Sequence, residues 1–424
     1  MRDILRHRGL RFVFAANVIS MLGSGMNSAA VTWYILQSTH SEVSLGWLMV
    51  LQTLPAMLLL PFTGVLIDRG DRRRLVMVLD ALRGIIILTV AILAFLHRVH
   101  IWQLYLMNIL VALGFWIFWP TITALIQELT PESEFVHSNS FLMAGIQGGW
   151  LMAGALVGFV YNHIGLGGVL LIDFSTYLVS FSCYLFVRKG RHVVMPAVEK
   201  AAEAVVEASS GFARYAREMR EGFEFLRGDR SLLLLGVAWA FFVGAMLTGG
   251  IVSAPLSERI LHAGAVGYGW LNAGWAVGAS LSAFYAPRLI GRLTARRAVV
   301  ISFAVLTAAF FLCPFSPLLV LAVSLYAAGG SARGVSGIAL STNLMESVPK
   351  HFMGRVQNCI YFAGTGLQLV FGLLVGVVAH RVGLSYAFAI IAGMYLLACL
   401  SSFASGEPRK VDVDDLALNE AAGD

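Results

Sequence analysis

Long apolar runs dominate the sequence and leave few folds open to it. Each run is about long enough to cross the hydrocarbon core of a bilayer as a helix, which takes about 20 residues. The twelve runs lie near residues 10–37, 43–67, 75–96, 101–127, 139–162, 166–187, 231–256, 266–290, 298–315, 318–343, 357–380 and 383–404. Hydrophobic residues make up 58% of the chain and charged residues 13%, against about 45–50% and about 25% in soluble domains. The sequence therefore predicts an all-α membrane protein with 12 transmembrane helices.

Lysine and arginine placement predicts the orientation of these helices. If both termini are cytoplasmic, 25 of the 30 basic residues lie in cytoplasmic segments. Only Arg98, Arg259 and Arg381 then lie on the opposite side, while Arg83 and Arg333 fall within apolar runs. This bias follows the positive-inside rule. We therefore predict a multi-pass protein of the cytoplasmic (inner) membrane. The basic residues are scattered over short loops and do not predict nucleic-acid binding.

One polar break divides the chain into two sets of six runs. Within it Tyr215, Met219, Phe223 and Leu226 recur at helical spacing, which predicts an amphipathic helix on the cytoplasmic membrane surface or against the bundle. The predicted domains are an N-terminal six-helix bundle at 1–187, a cytoplasmic linker at 188–230, a C-terminal six-helix bundle at 231–405 and an acidic cytoplasmic tail at 406–424.

The two sets of runs resemble each other in sequence. Gly165-Leu166 matches Gly383-Leu384 at an offset of 218 residues, and the glycine-rich stretch at 154–158 matches 372–376 at the same offset. Six runs separate equivalent positions, so both copies have the same orientation in the membrane. Parallel halves of this kind place a substrate site near the midplane, at their interface. The glycine pairs themselves predict close helix crossings, including one between the fifth and eighth runs.

The loop after the second run carries the most specific motif. Its sequence, Gly64-Val-Leu-Ile-Asp-Arg-Gly-Asp-Arg-Arg-Arg74, resembles the cytoplasmic loop between spans two and three of the major facilitator superfamily. Leu129-Thr-Pro-Glu-Ser133 and Asp173-Phe-Ser175 resemble the branch that contains the enterobactin exporter and macrolide-efflux-like carriers. The resemblance implies two parallel six-helix bundles that form a secondary transporter. It also implies a cytoplasmic latch that breaks when the carrier opens inward.

The gate residues implied by this resemblance lie at the predicted cytoplasmic ends of the runs. They are Gly64, Asp68, Arg69, Arg72, Arg73, Glu128 and Glu346.

The resemblance favours proton-driven efflux of a small amphipathic molecule. Two features depart from the related antiporters: Ser24 follows Leu22-Gly23 where the branch often carries an acid, and the fourth run has no arginine. The alternatives are a lipid, lysolipid or anionic-metabolite carrier without proton antiport, and, in a different class, a membrane receptor that does not transport. The expected partners are a small-molecule substrate, membrane lipid and protons, and we expect a monomer.

Four charged residues inside the apolar runs are candidates for function, since buried charges in membranes usually pair or serve function. Asp80 and Arg83 share a helix face and predict an internal ion pair, which Glu128 could join. The pair has either a structural or gating role or a role in coupling to protons or substrate. Asp173 is the best-placed acid to take up a proton, unless Ser, Thr or a helix end satisfies it. Arg333 either recognises an anionic substrate group or forms a fixed ion pair.

A polar stripe on the first run predicts a lining of the transport path, or alternatively interhelix hydrogen bonding. Large aromatic residues with sparse polar groups suit amphipathic ligands. The candidate cavity residues are Asn17, Asn27, Trp116, Trp119, Gln147, Trp150, Trp239, Asn272, Trp275, Arg333, Tyr361 and Gln368.

No sequence pattern predicts catalysis or a cofactor. Cys183, Cys313, Cys359 and Cys399 each lie in an apolar run, without the neighbouring ligands that a metal site needs. We therefore expect no enzyme activity, no metal and no cofactor.

Overall fold

A computed structural model describes residues 8–69, 71–129, 135–187 and 215–406. Within those ranges the regular elements are all helical, and nine helices are long and apolar enough to cross a membrane. The predicted all-helical membrane architecture is confirmed. The count of twelve spans and the cytoplasmic location of the termini remain predictions.

The N-terminal part of the chain forms five long helices. They are α1 (Arg8–Thr39), α2 (Glu42–Arg69), α3 (Arg72–Phe95), α4 (Ile101–Leu129) and α5 (Phe135–Leu185). The helix α5 contains both the fifth and the sixth apolar runs, and its backbone leaves helical geometry at Gly165, with φ 62° and ψ −170°. Glycine tolerates this positive φ because it has no Cβ. The break lies between the two runs, as the sequence predicts.

The C-terminal part begins with the amphipathic helix α6 at 215–228. Next come α7 (Arg230–Thr248), α8 (Gly250–Pro255) and a π-helical turn at Leu256–Ile260. The remaining helices are α9 (Gly264–Leu293), α10 (Ala295–Leu312), α11 (Leu319–Ser347), α12 (Lys350–Arg381) and α13 (Leu384–Ala404). The side chain of Asp229 caps α7 by accepting hydrogen bonds from the backbone N–H groups of Ser231 and Leu232.

Contacts divide the chain into two compact units. The first contains Met1–Ala213 and Ser253–Ala273, and the second contains Arg214–Val252 and Gly274–Asp424. In the first unit α1 packs chiefly on α5, and α3 packs on α4 and α5. In the second unit α10 packs on α11 and α13, while α7 packs on α12 and α13. The segment Ser253–Ala273 follows most of the seventh apolar run in sequence, yet it packs with the first unit.

The helix α6 packs on the N-terminal end of α12. Phe225 stacks on Phe352 with 4.9 Å between ring centroids, and Glu221 pairs with Arg355 at 3.0 Å. A Cβ added at Gly222 would lie 2.5 Å from the carbonyl oxygen of Arg355, so only glycine allows this approach. Of the two locations expected for the amphipathic helix, the structure places it against the bundle.

Candidate functional site

The polar stripe of α1 meets a matching stripe on the second part of α5. Asn17 donates from Nδ2 to the hydroxyl of Tyr184 at 3.1 Å, and the hydroxyls of Ser24 and Tyr177 are 2.9 Å apart. Ser24 lies two turns after Asn17 on α1, whereas its partner Tyr177 lies two turns before Tyr184 on α5. The two helices therefore run antiparallel. Asn17 and both tyrosines are buried. These contacts are the interhelix hydrogen bonds that the sequence allowed as an alternative to a path lining.

Asp173 continues this stripe one turn from Tyr177 and is completely buried. Asn27 donates to its Oδ2 at 2.8 Å, and Thr176 donates to its backbone carbonyl at 2.7 Å and to its Oδ1 at 3.4 Å. A Cβ added at Gly23 would lie 2.5 Å from Oδ1 of Asp173, so α1 passes directly over the carboxyl group. No ion pair to Asp173 occurs within the described ranges, and Arg83 acts on it electrostatically from beyond ion-pair distance.

Asp80 and Arg83 form the predicted internal ion pair on α3. Arg83 Nη2 lies 2.5 Å from Asp80 Oδ1, and Ser180 donates to the other carboxylate oxygen at 2.6 Å. The guanidinium lies over the rings of Phe118 at 4.5 Å and Tyr177 at 4.8 Å. All of these side chains are buried, so the pair is enclosed by protein. Its hydrogen bonds and aromatic contacts offset the cost of removing both charges from water.

This ion pair also touches α4. A Cβ added at Gly114 would lie 2.9 Å from Cδ of Arg83, so the absence of a side chain there makes room for the arginine stem. Tyr177 then joins two groups of polar residues, because its ring contacts Arg83 and its hydroxyl contacts Ser24. The first unit thus buries two polar groups, the Asp80–Arg83 pair and the Asp173 carboxyl, and Arg83 acts on Asp173 electrostatically.

Arg333 lies on α11 in the second unit and is partly exposed. Its Nε lies 3.1 Å from the sulfur of Met246, and none of the described ion pairs includes it. Tyr361 and Tyr395 are within electrostatic range of the guanidinium, and Trp239 meets Tyr361 edge-on at 6.3 Å. The structure therefore groups three of the predicted cavity residues, Arg333, Trp239 and Tyr361, in one region.

An ion pair that the sequence analysis did not anticipate lies in the first unit, between the start of α2 and the π-helical turn. Arg259 Nη1 is 2.7 Å from Oε1 of Glu42, and its Nη2 donates to the carbonyl of His40 at 2.8 Å. Glu42 is completely buried, whereas the arginine side chain is 40% exposed. Both segments belong to the predicted non-cytoplasmic side.

The start of α9 is closely packed in the same unit. Trp33 stacks on Tyr268 with 5.8 Å between ring centroids. A Cβ added at Gly158 would lie 2.5 Å from the carbonyl oxygen of Ala265 and 2.8 Å from Cα of Gly269. The predicted crossing of the fifth and eighth runs is therefore present, and it leaves no room for a side chain at Gly158.

The predicted cytoplasmic gate is described only in part. Arg73 donates from Nε to the carbonyl of Tyr184 at 2.7 Å and from Nη2 to that of Leu185 at 2.9 Å, so it binds the carbonyl end of α5, where cations are favoured. Arg72 is partly buried and Glu346 is exposed. The side-chain surroundings of Gly64, Asp68, Arg69, Glu128 and Gln147 fall outside the described part of the structure, so the roles predicted there stay predictions.

The remaining cavity candidates have different surroundings within their own units. Trp275 packs edge-on against Phe310 and Tyr326 in an aromatic core. Trp116 and Trp150 are exposed, and Trp119 packs against Phe115. Asn272 donates to the carbonyl of Tyr268 at 2.9 Å, and Gln368 is buried. Their assignment to a substrate cavity stays a prediction.

Of the two stripes at the α1–α5 contact, the one on α1 was predicted from the sequence, but on α5 only Asp173 was. Asp173, Tyr177, Ser180 and Tyr184 are spaced by 4, 3 and 4 residues, which places them on one helix face. This spacing could have predicted the stripe on α5 from the sequence. Glu42 gave a weaker signal, as an acid at the very start of an apolar run.

Comparison with known proteins assigns the family. The sequence model of the Major Facilitator Superfamily matches residues 13–357. The chain belongs to this superfamily. Macrolide efflux protein A of Streptococcus pyogenes is 22% identical over 232 residues, which cover 54% of each chain. The chain thus matches about half the length of that relative. An uncharacterized MFS-type transporter of Bacillus subtilis, YfiS, is 24% identical over 404 residues, covering 92% of this chain and 91% of the relative.

Solved structures of the superfamily share the fold. A bacterial homologue of the iron transporter ferroportin, in an inward-facing state, has a TM-score of 0.75 at 14% identity, covering 95% of this chain and 99% of that chain. The nucleoside transporter NupG has a TM-score of 0.67 at 13% identity, covering 94% of this chain and 99% of that chain. At these identities the structures show the fold alone. As a member of the superfamily, the chain has its multi-pass helical membrane fold.

Proposed function

We propose that the protein exports a small amphipathic molecule across the cytoplasmic membrane by alternating access, driven by proton entry. The six-helix halves at 1–187 and 231–405 act as the moving bodies, and the monomer is the working unit. The similarity to a macrolide efflux protein supports export of an amphipathic compound. The structural observation that carries proton coupling is the buried carboxyl group of Asp173.

Asp173 has the contacts that a proton carrier needs. Its described side-chain partners are the amide of Asn27 and the hydroxyl of Thr176, not a cation. An acid held by neutral groups alternates between its protonated and charged forms without breaking an ion pair. Asp80, in contrast, is held by Arg83 at 2.5 Å. We therefore assign the coupled proton to Asp173 and a structural role to the Asp80–Arg83 pair.

The network around Arg83 provides a route from protonation to helix movement. Protonation of Asp173 removes a negative charge that acts on Arg83, whose guanidinium contacts Tyr177 on the same helix as Asp173. Tyr177 in turn contacts Ser24 on α1. A change in charge at Asp173 thus alters the forces that hold α1 on α5. Only such a difference between two states allows a proton to shift their populations.

Alternating access also needs contacts that exist in one state alone. We assign this role to the Glu42–Arg259 pair, which joins the α1–α2 connection to the π-helical turn after the seventh run. When this side opens, the pair separates and water reaches Glu42. The close contact of Gly158 with Gly269 belongs to the same closed arrangement.

Transport is tested in proteoliposomes that contain the purified full-length protein. The probe is a radiolabelled macrolide, and a pH gradient, acid inside, is imposed across the bilayer. We expect accumulation of the probe inside the vesicles that carry inside-out protein, and loss of accumulation when an ionophore collapses the gradient. Binding of the macrolide without movement would contradict export and favour the receptor alternative. Accumulation that does not depend on the pH gradient would contradict proton coupling but not export.

A further inference from the structure

Arg333 is the cation with the most unused hydrogen-bonding capacity among the described groups inside the spans. It has five N–H donors, but its described side-chain contact is the sulfur of Met246, a weak acceptor. Placing an arginine near the centre of a span costs free energy, so such a residue faces a partner or a wet space. The sequence allowed a fixed ion pair between Arg333 and an acid as an alternative. Within the described ranges, no ion pair of Arg333 with an acid occurs.

The surroundings of Arg333 supply a second observation. Tyr395 is completely buried within electrostatic range of the guanidinium, and its hydroxyl has no hydrogen-bond partner among the described residues. Buried hydroxyl groups normally find a partner. Tyr361 is also within electrostatic range of the Arg333 guanidinium, and it is 49% exposed. Arg333 therefore has a buried tyrosine hydroxyl without a described partner in its electrostatic surroundings.

Apolar side chains lie in the same region. Trp239 contacts Tyr361 edge-on, and Met246 lies two turns from Trp239 on α7. A ligand with an anionic end and an apolar body would have its charge at Arg333 and its body against these side chains. Methionine adapts its shape to different apolar ligands.

We propose that Arg333 binds the anionic head group of an amphipathic substrate, a phosphate, sulfate or carboxylate, with Trp239 and Tyr361 against the apolar part. This inference rests on the proposed function and adds anionic amphiphiles to the compounds that the transporter binds, beside the basic macrolide used as the transport probe. Arginine pairs with such groups through two parallel N–H donors. When the ligand binds, its anionic group replaces the Met246 sulfur as the partner of Arg333 Nε.

Binding is measured with two radiolabelled probes that differ in their head group, decyl phosphate and decanol. The full-length protein is held in phosphatidylcholine nanodiscs. We expect Arg333→Gln to weaken decyl phosphate binding about tenfold or more, as for the loss of a charged hydrogen bond, and to leave decanol binding unchanged. Arg333→Lys keeps the positive charge, so it should weaken decyl phosphate binding less than Arg333→Gln does. Arg98→Gln, at an exposed arginine outside the spans, is the matched control and should bind both probes normally.

Two further arms identify the source of the anion. If phosphatidylglycerol added to the nanodiscs competes with decyl phosphate, the site takes a lipid head group; if it does not, the site takes a water-borne amphiphile. Both results support an anion site. Equal binding of decyl phosphate to the wild type and to Arg333→Gln would overturn the inference. In that case macrolide transport by the same Arg333→Gln protein shows that the proposed function still stands, whereas loss of transport in the wild type would reject the proposed function itself.

Discussion

Arg259 holds the buried carboxylate of Glu42 at 2.7 Å while it donates to the carbonyl of His40, although the two charged residues come from different halves of the sequence. Glu42 is completely enclosed and Arg259 is partly open to solvent. Such a pair stabilises the arrangement in which it forms, because separating the charges leaves a buried carboxylate without its cation.

Neutralising either partner should therefore favour the state that is open on this side. We expect Glu42→Gln and Arg259→Gln each to shift the two-state population, and the double variant to shift it no further than either single variant. The coupling should be about 1–3 kcal/mol, below the value for a fully buried pair because Arg259 is exposed. The distance between spin labels at Ser41 and His262 reports the shift. Additive effects of the two substitutions would show that the side chains act independently.

The enclosed Asp80–Arg83 pair should contribute to stability. We expect Asp80→Asn or Arg83→Gln to lower the free energy of unfolding by about 3–5 kcal/mol, since either change leaves one buried charge unpaired. The double variant should recover part of that loss. The measurement is denaturant unfolding of the purified protein in detergent. Glu224→Gln serves as the control, because it removes an acid whose ion pair with Arg220 is exposed, and exposed ion pairs contribute little to stability. A double variant less stable than both singles would contradict the account.

Gly158 should tolerate no larger residue in the closed arrangement. The added Cβ of Gly158→Ala would meet backbone atoms of Ala265 and Gly269 at 2.5–3.0 Å, and backbone cannot move aside as a flexible side chain can. We expect slower macrolide transport and a longer distance between the labels at Ser41 and His262. Gly148→Ala provides the control on the same helix, because a Cβ there meets nothing within 4 Å. Equal transport rates in the two variants would exclude a role for this crossing.

The sequence predicted those features that depend on local spacing. Apolar runs located the helices, Gly165 lay between the fifth and sixth runs, and two charges three residues apart formed the ion pair of Asp80 and Arg83. Local spacing decides these features because a helix fixes which residues share a face. The amphipathic helix near Leu226 was found for the same reason.

Partners that are distant in sequence were harder to predict. The spacing of Asn17 and Asn27 showed that they share a face of α1, but the pattern could not show whether that face meets another helix or a cavity. Their partners, Tyr184 and Asp173, depend on how α1 packs against α5. The pairing of Glu42 with Arg259 likewise requires the tertiary arrangement.

The proton flux of the Asp173→Asn variant tests the central claim most directly. A pH-sensitive dye trapped in proteoliposomes reports proton movement when the macrolide is added, and radiolabel reports movement of the macrolide itself. We predict that the wild type and Glu224→Gln, a change at an exposed acid on α6, move protons and macrolide together, while Asp173→Asn binds macrolide but moves no protons with it. Wild-type proton flux in Asp173→Asn, coupled to macrolide as before, would contradict the account.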